Sequence, residues 1–146
     1  MTIFFYKVWQ PYGCFSNFSF HHIQIGNTYW TTVEHYYQAQ KFIGSQDESL
    51  IALIQTATTP EAAATLGRRN MRYVRPDWTQ VKIPVMREAV LQKFLTHREI
   101  REVLLLTRDE TIVENSPTDY FWGCGADKTG ENHLGKILMS VREQLR

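Results

Sequence analysis

The sequence predicts an α+β fold: a single domain over 1–146, mainly helical, with a small antiparallel sheet. Three observations carry that expectation. Apolar residues recur at helical spacing from residue 33 to the end of the chain. Two short alternating runs flank a Gly26-Asn27 pair, which is a hairpin signal. The chain has 146 residues, 43% apolar and 21% charged, the size and composition of one globular domain with a full core.

Taken in order, Ile3, Phe4, Phe5 and Tyr6 form a short β-type run, and residues 23–30 alternate around the Gly-Asn turn. At Thr32 the period changes. Thr32 suits an N-cap, Val33, Tyr36, Tyr37, Ala39 and Phe42 keep helical spacing, and Gly44 stops the helix. A second helix is expected over 47–57 with Leu50, Ile51 and Ile54 inward, and a third from Pro60, a first-turn proline, to near Gly67. Asp77 can cap the next helix, which Pro84 should kink or break before the apolar stripe Met86, Ala89, Val90 and Phe94. Residues 97–107 read as a helix and Thr111–Glu114 as a strand. A glycine-rich, aromatic loop over 116–130 follows. The last helix starts after Asn132, with Leu134, Ile137, Leu138, Val141 and Leu145 on one face.

A formal net charge of +1 leaves no broad field to attract nucleic acid or an anionic membrane. No apolar run approaches the ~18 residues of a membrane span. The first residues lack the basic segment and apolar stretch of a signal peptide, so a soluble, cytoplasmic protein is expected. Cys14 and Cys124 are too few for a disulfide framework or a zinc site and should be free thiols. More than half of the aromatic residues lie in the first 30 positions, where Lys7 is the single charged residue. That density suits a core layer or a stacking wall for a flat, polar ligand.

Chemistry can sit in three places. Steps of four and three residues put Glu34, Gln38 and Lys41 on one helix face, and the flanking aromatics argue against full solvation of that face. Glu114 and Asp119 sit among aromatics and glycines, where Asp119 serves either a site or a structural Asx-turn. Arg68, Arg69, Arg72 and Arg75 make a local basic patch suited to one phosphate, or an exposed turn, and too small for duplex binding. There is no phosphate loop, no G-x-S-x-G elbow and no H-E-x-x-H, and the five histidines lack metal-ligand spacing. No metal and no cofactor are therefore expected. Carboxylates, one helical lysine and aromatics are the parts that cleavage at an acetal-like carbon uses.

Several segments together resemble one family. They are Tyr12-Gly13-Cys14-Phe15-Ser16-Asn17-Phe18, Glu34-His35-Tyr36-Tyr37-Gln38-Ala39-Gln40-Lys41-Phe42, Leu66-Gly67-Arg68, Asp77-Trp78, Asp119-Tyr120-Phe121-Trp122-Gly123 and Gly130-Glu131-Asn132-His133-Leu134-Gly135. In order and spacing they resemble the NADAR, or YbiA-like, family over nearly the whole chain. The resemblance implies N-glycosidase activity, either on early phosphorylated riboflavin-pathway intermediates or on ADP-ribose attached to guanine in nucleic acid. It implies Glu34, Lys41 and Asp119 as catalytic residues, and Asn17, Arg68, Trp78, Trp122 and Asn132 as pocket residues. The partner would be a small ribosyl phosphate or an ADP-ribosyl substrate, including ADP-ribosylated nucleic acid. Two routes fit: a carboxylate activates water toward C1′, or Lys41 forms a Schiff base with the ring-opened sugar. A non-catalytic binder of ADP-ribose or NAD would use the same arginine and tryptophans without turnover.

Overall fold

The computed structural model describes all residues, Met1–Arg146, and places them in two compact groups. The first group is Phe20–Lys93. Strands β2 (Ile23–Ile25) and β3 (Thr28–Trp30) pair antiparallel with Ile23 opposite Trp30. Gly26 sits in the two-residue turn at φ +62, the left-handed geometry that such a hairpin requires. Helix α1 (Val33–Gln40) is capped by Thr32, whose hydroxyl oxygen accepts from the His35 amide. The buried His35 ring is a brace: Nδ1 lies 2.8 Å from the Thr32 hydroxyl and Nε2 donates to the Ala57 carbonyl at 2.9 Å.

Helix α2 (Ser49–Gln55) and helix α3 (Pro60–Arg69) both pack on α1. Thr59 caps α3 by accepting from Ala62, and Pro60 stands in the first turn, where its missing N–H costs nothing. Val33, Ala39, Ile54, Ala63 and Ala64 are buried, and the small residues let the helices approach closely. A short 3₁₀ turn at Met71–Tyr73 leads to α4 (Trp78–Thr96).

The second group is Met1–Ser19 with Phe94–Arg146. Strand β1 (Thr2–Phe5) pairs in parallel with β4 (Thr111–Glu114), Ile3 opposite Ile112. Helix α6 (His133–Leu145) packs on β4 and on α5 (Arg98–Leu106). The Phe15 ring meets Phe5 at 5.8 Å and Phe94 at 6.1 Å, both edge-on, and Ile112, Leu134 and Leu138 are also fully enclosed. Buried Arg142 donates to the Thr107 hydroxyl at 2.9 Å and the Glu110 carbonyl at 2.8 Å, tying α6 to the turn after α5.

The expected small antiparallel sheet is the β2–β3 hairpin, and the two other strands, β1 and β4, make a separate parallel pair. Pro84 does not break its helix: α4 runs through it, with Pro84 and Gln80 both exposed. The aromatic N-terminal segment is divided: Phe5, Phe15 and Trp30 are core, while Trp9 and Phe20 are exposed. No helix is long and apolar enough to cross a membrane.

Candidate active site

Helix α1 brings the central side chains together. Glu34, in its first turn, is 6% exposed, and Gln38 one turn later is 3% exposed. Gln38 Nε2 donates to Glu34 Oε2 at 2.7 Å. The carboxylate stands at the positive end of the helix dipole, where a negative charge is favourably placed. Lys41, the C-cap of α1, is also 6% exposed. Its Nζ lies 5.4 Å from the centre of the Tyr37 ring and 3.8 Å from Met71 Sδ. Burial lowers the lysine pKa to about 8; Glu34 pulls it up, while Arg68 and Lys82 push it down.

Trp78 begins α4 and packs its ring 5.2 Å from Tyr37, buried rather than open as a wall. Lys41 and Trp78 therefore share one aromatic neighbour. The Lys41 carbonyl accepts from the Arg75 amide at 2.7 Å, fixing the chain after the 3₁₀ turn against the end of α1. Arg75 in turn pairs with Asp77 at 2.6 Å, so it is engaged within its own turn. Arg68, at the end of α3, is exposed and near enough to Lys41 to act on its charge. The sequence signal for Lys41 and Glu34 was helical spacing. Tyr37 was visible as i−4 to Lys41, whereas Met71 arrives from another element and had no signal.

Asn17, Asp119, Trp122 and Asn132 belong to the second group of residues. Asn17 is buried, just after the 3₁₀ turn Gly13–Phe15. Gly13 is required there, since a Cβ would stand 2.1 Å from the Val8 carbonyl oxygen. Asp119 Oδ1 accepts from the Phe121 and Trp122 amides at 3.0 and 2.7 Å, an Asx-turn that leaves Oδ2 without a protein donor. Half-buried Trp122 stands edge-on to Phe121 at 4.8 Å. The side-chain amide of Asn132 is held against β4. Its Oδ1 accepts from the Glu114 amide and its Nδ2 donates to the Ile112 carbonyl, both at 3.0 Å. The Phe121 and Trp122 carbonyls accept from His133 and Leu134, satisfying the first amides of α6.

A buried carboxylate beside a buried, partly neutral amine can stabilise a developing cation and attack a carbonyl carbon. Comparison with known proteins agrees with that chemistry. The chain is 70% identical over 146 residues to the N-glycosidase Npun_R5314 of Nostoc punctiforme, covering all of this chain and 94% of that protein. It is 43% identical to the chloroplastic riboflavin biosynthesis protein PYRR of Zea mays, over 98% of this chain and 25% of that longer protein. The solved NMR structure of Escherichia coli YbiA superposes with a TM-score of 0.90 at 41% identity, covering 99% of this chain and 84% of that one. The NADAR domain model matches residues 4–146, and the chain belongs to the NADAR family.

Proposed function

We propose that this N-glycosidase hydrolyses the C1′–N bond of a ribosylated aminopyrimidine 5′-phosphate, an early riboflavin-pathway intermediate. The observation that carries the reading is the enclosed triad of Glu34, Gln38 and Lys41, with the lysine pKa lowered to about 8. Two relatives support the substrate class: the maize protein and one from Vibrio vulnificus, 40% identical, are both named for riboflavin biosynthesis. The charge pattern supports a small substrate as well, since the cationic side chains acting on Lys41 are Arg68 and Lys82 in a chain of net charge +1.

In this mechanism Arg68 takes the phosphate and an aromatic ring holds the pyrimidine. As the C1′–N bond breaks and the leaving nitrogen is protonated, Glu34 stabilises positive charge at C1′. Neutral Lys41 attacks C1′ as the base leaves, the ring opens with a proton passing from the lysine nitrogen to O4′ to give a protonated Schiff base, and one water hydrolyses that imine, returning the lysine and the sugar phosphate. On the family resemblance alone, Asp119, Asn17 and Trp122 are further proposed site residues. Asp119 is the second candidate carboxylate, through Oδ2.

The test is a paired assay. The protein is incubated with the ribosylaminopyrimidine 5′-phosphate and, separately, with guanine-ADP-ribosylated DNA. Release of ribose 5-phosphate in the first alone is expected. Release of ADP-ribose in the second alone would replace this substrate with ADP-ribosyl-guanine, and product in neither would favour a non-catalytic binder.

A further inference from the structure

The contact between α1 and α3 contains two local costs at one point. Gln38 Nε2 donates to Glu34, but the other end of the same amide, Oε1, is buried without a hydrogen-bond partner. Buried amide carbonyls are seldom left so, because the lost hydration is not replaced. Facing it on α3 is Gly67, where an added Cβ would lie 1.9 Å from Oε1, 2.8 Å from Cδ and 3.3 Å from Cβ of Gln38. Gly67 has no positive φ, so its backbone does not require glycine, and within a helix glycine is less favourable than alanine.

One bond accounts for both costs. If the amide turned over, Oε1 would face the Glu34 carboxylate and repel it. With Nε2 toward Glu34, Oε1 must point at α3, and only a residue without a side chain leaves it room. We infer that Gln38 is the positioning residue for the Glu34 carboxylate, and that the bare backbone at Gly67 is what seats it. This rests on the reading of Glu34 as the catalytic carboxylate. In the free protein Gln38 fixes Glu34 Oε2, and with it the orientation in which the carboxylate meets charge at the reacting carbon. An alanine at 67 would push the amide away and remove its hydrogen bond to the carboxylate.

The experiment compares Gly67→Ala, Gln38→Ala and the double variant, with Gln38→Met as a variant that keeps volume without the hydrogen bond. Gly67→Ala and Gln38→Met should each lower kcat at least ~10-fold with KM little changed, the pattern of an interaction needed in the transition state. The double variant should be no slower than Gln38→Ala alone. With no amide to displace, two alanines meet at about the 3.3 Å already present between Cβ positions, which a shift of a few tenths of an ångström relieves. Losses in kcat that simply multiply in the double variant would overturn the inference, as would unchanged kcat in Gly67→Ala. A second readout needs no substrate: the Gln38 side-chain N–H resonances should be downfield and protected from exchange in the wild type and lose both properties in Gly67→Ala. If they resemble an exposed glutamine in the wild type, the inference fails. If they behave as expected while no substrate is turned over, the positioning stands and the N-glycosidase reading fails.

Discussion

Replacing Lys41 by methionine should make the protein more stable and inactive at once. The side chain is 6% exposed and its pKa falls from 10.5 to about 8, burial being the largest cause. At ~1.36 kcal/mol per unit, holding that ammonium in place costs about 3 kcal/mol at pH 7. Methionine has similar length and no charge to bury, and it keeps contact with the Tyr37 ring. The pH dependence fixes the sign. Below pH 8 folded and unfolded chains both carry the proton and the penalty is full. Between pH 8 and 10.5 the unfolded chain holds a proton that the folded one has released, so wild-type stability rises with pH. The advantage of Lys41→Met should therefore shrink, to about 1.4 kcal/mol by pH 9.5. Urea unfolding at pH 6.5, 8 and 9.5 measures this: with a slope of ~1–3 kcal/mol/M the midpoint rises by roughly 1–3 M at the lowest pH. A variant less stable than wild type at pH 6.5, or a gap that does not close by pH 9.5, would refute the argument that Lys41 is a desolvated amine.

If Lys41 is the nucleophile, borohydride added during turnover should leave the sugar fragment on Lys41 by peptide mapping, and Lys41→Arg should abolish adduct and turnover together. Retained activity in Lys41→Arg, or an adduct on the buried Lys93, would leave direct attack by water as the mechanism. Glu34→Gln and Asp119→Asn should each lower kcat at least ~100-fold with little change in stability, because each keeps its shape and asparagine can still accept from the Phe121 and Trp122 amides. Near wild-type rates in both would remove the carboxylates from the mechanism. Arg68→Ala should raise KM more for the phosphorylated substrate than for its dephosphorylated analogue, whereas an equal change in the two would make Arg68 structural.

What could be read from the sequence was what one element carries by itself. The shared face of Glu34, Gln38 and Lys41 follows from spacing within α1, the hairpin from Gly26-Asn27, and the cap of α1 from Thr32. What depends on packing between elements left no local mark. Met71 reaches Lys41 from a different turn, and Gly67 looks like a helix terminator until Gln38 is seen against it. Asn132 sits within a family motif, and its amide is held against β4. Pro84 lies inside α4 without ending it, a tolerance that local composition does not mark. The β1–β4 pairing was hidden because alternation marks a strand and not its partner.

That pairing also sets a timetable for the newly made chain. Thr2–Phe5 meets Thr111–Glu114, so β1 leaves the ribosome long before the strand that covers its edge exists. At ~5–20 residues per second the wait is roughly 5–20 s, while the Phe20–Lys93 stretch closes on contacts within itself. During that interval Ile3 and Phe5, 7% and 2% exposed once folded, are part of an unpaired, aromatic β segment of the kind that nucleates aggregation. Lys7 and Pro11 follow it directly, a charge and a strand breaker at its downstream end. A charge and a proline are the residue types that interrupt the extension of β pairing along a chain.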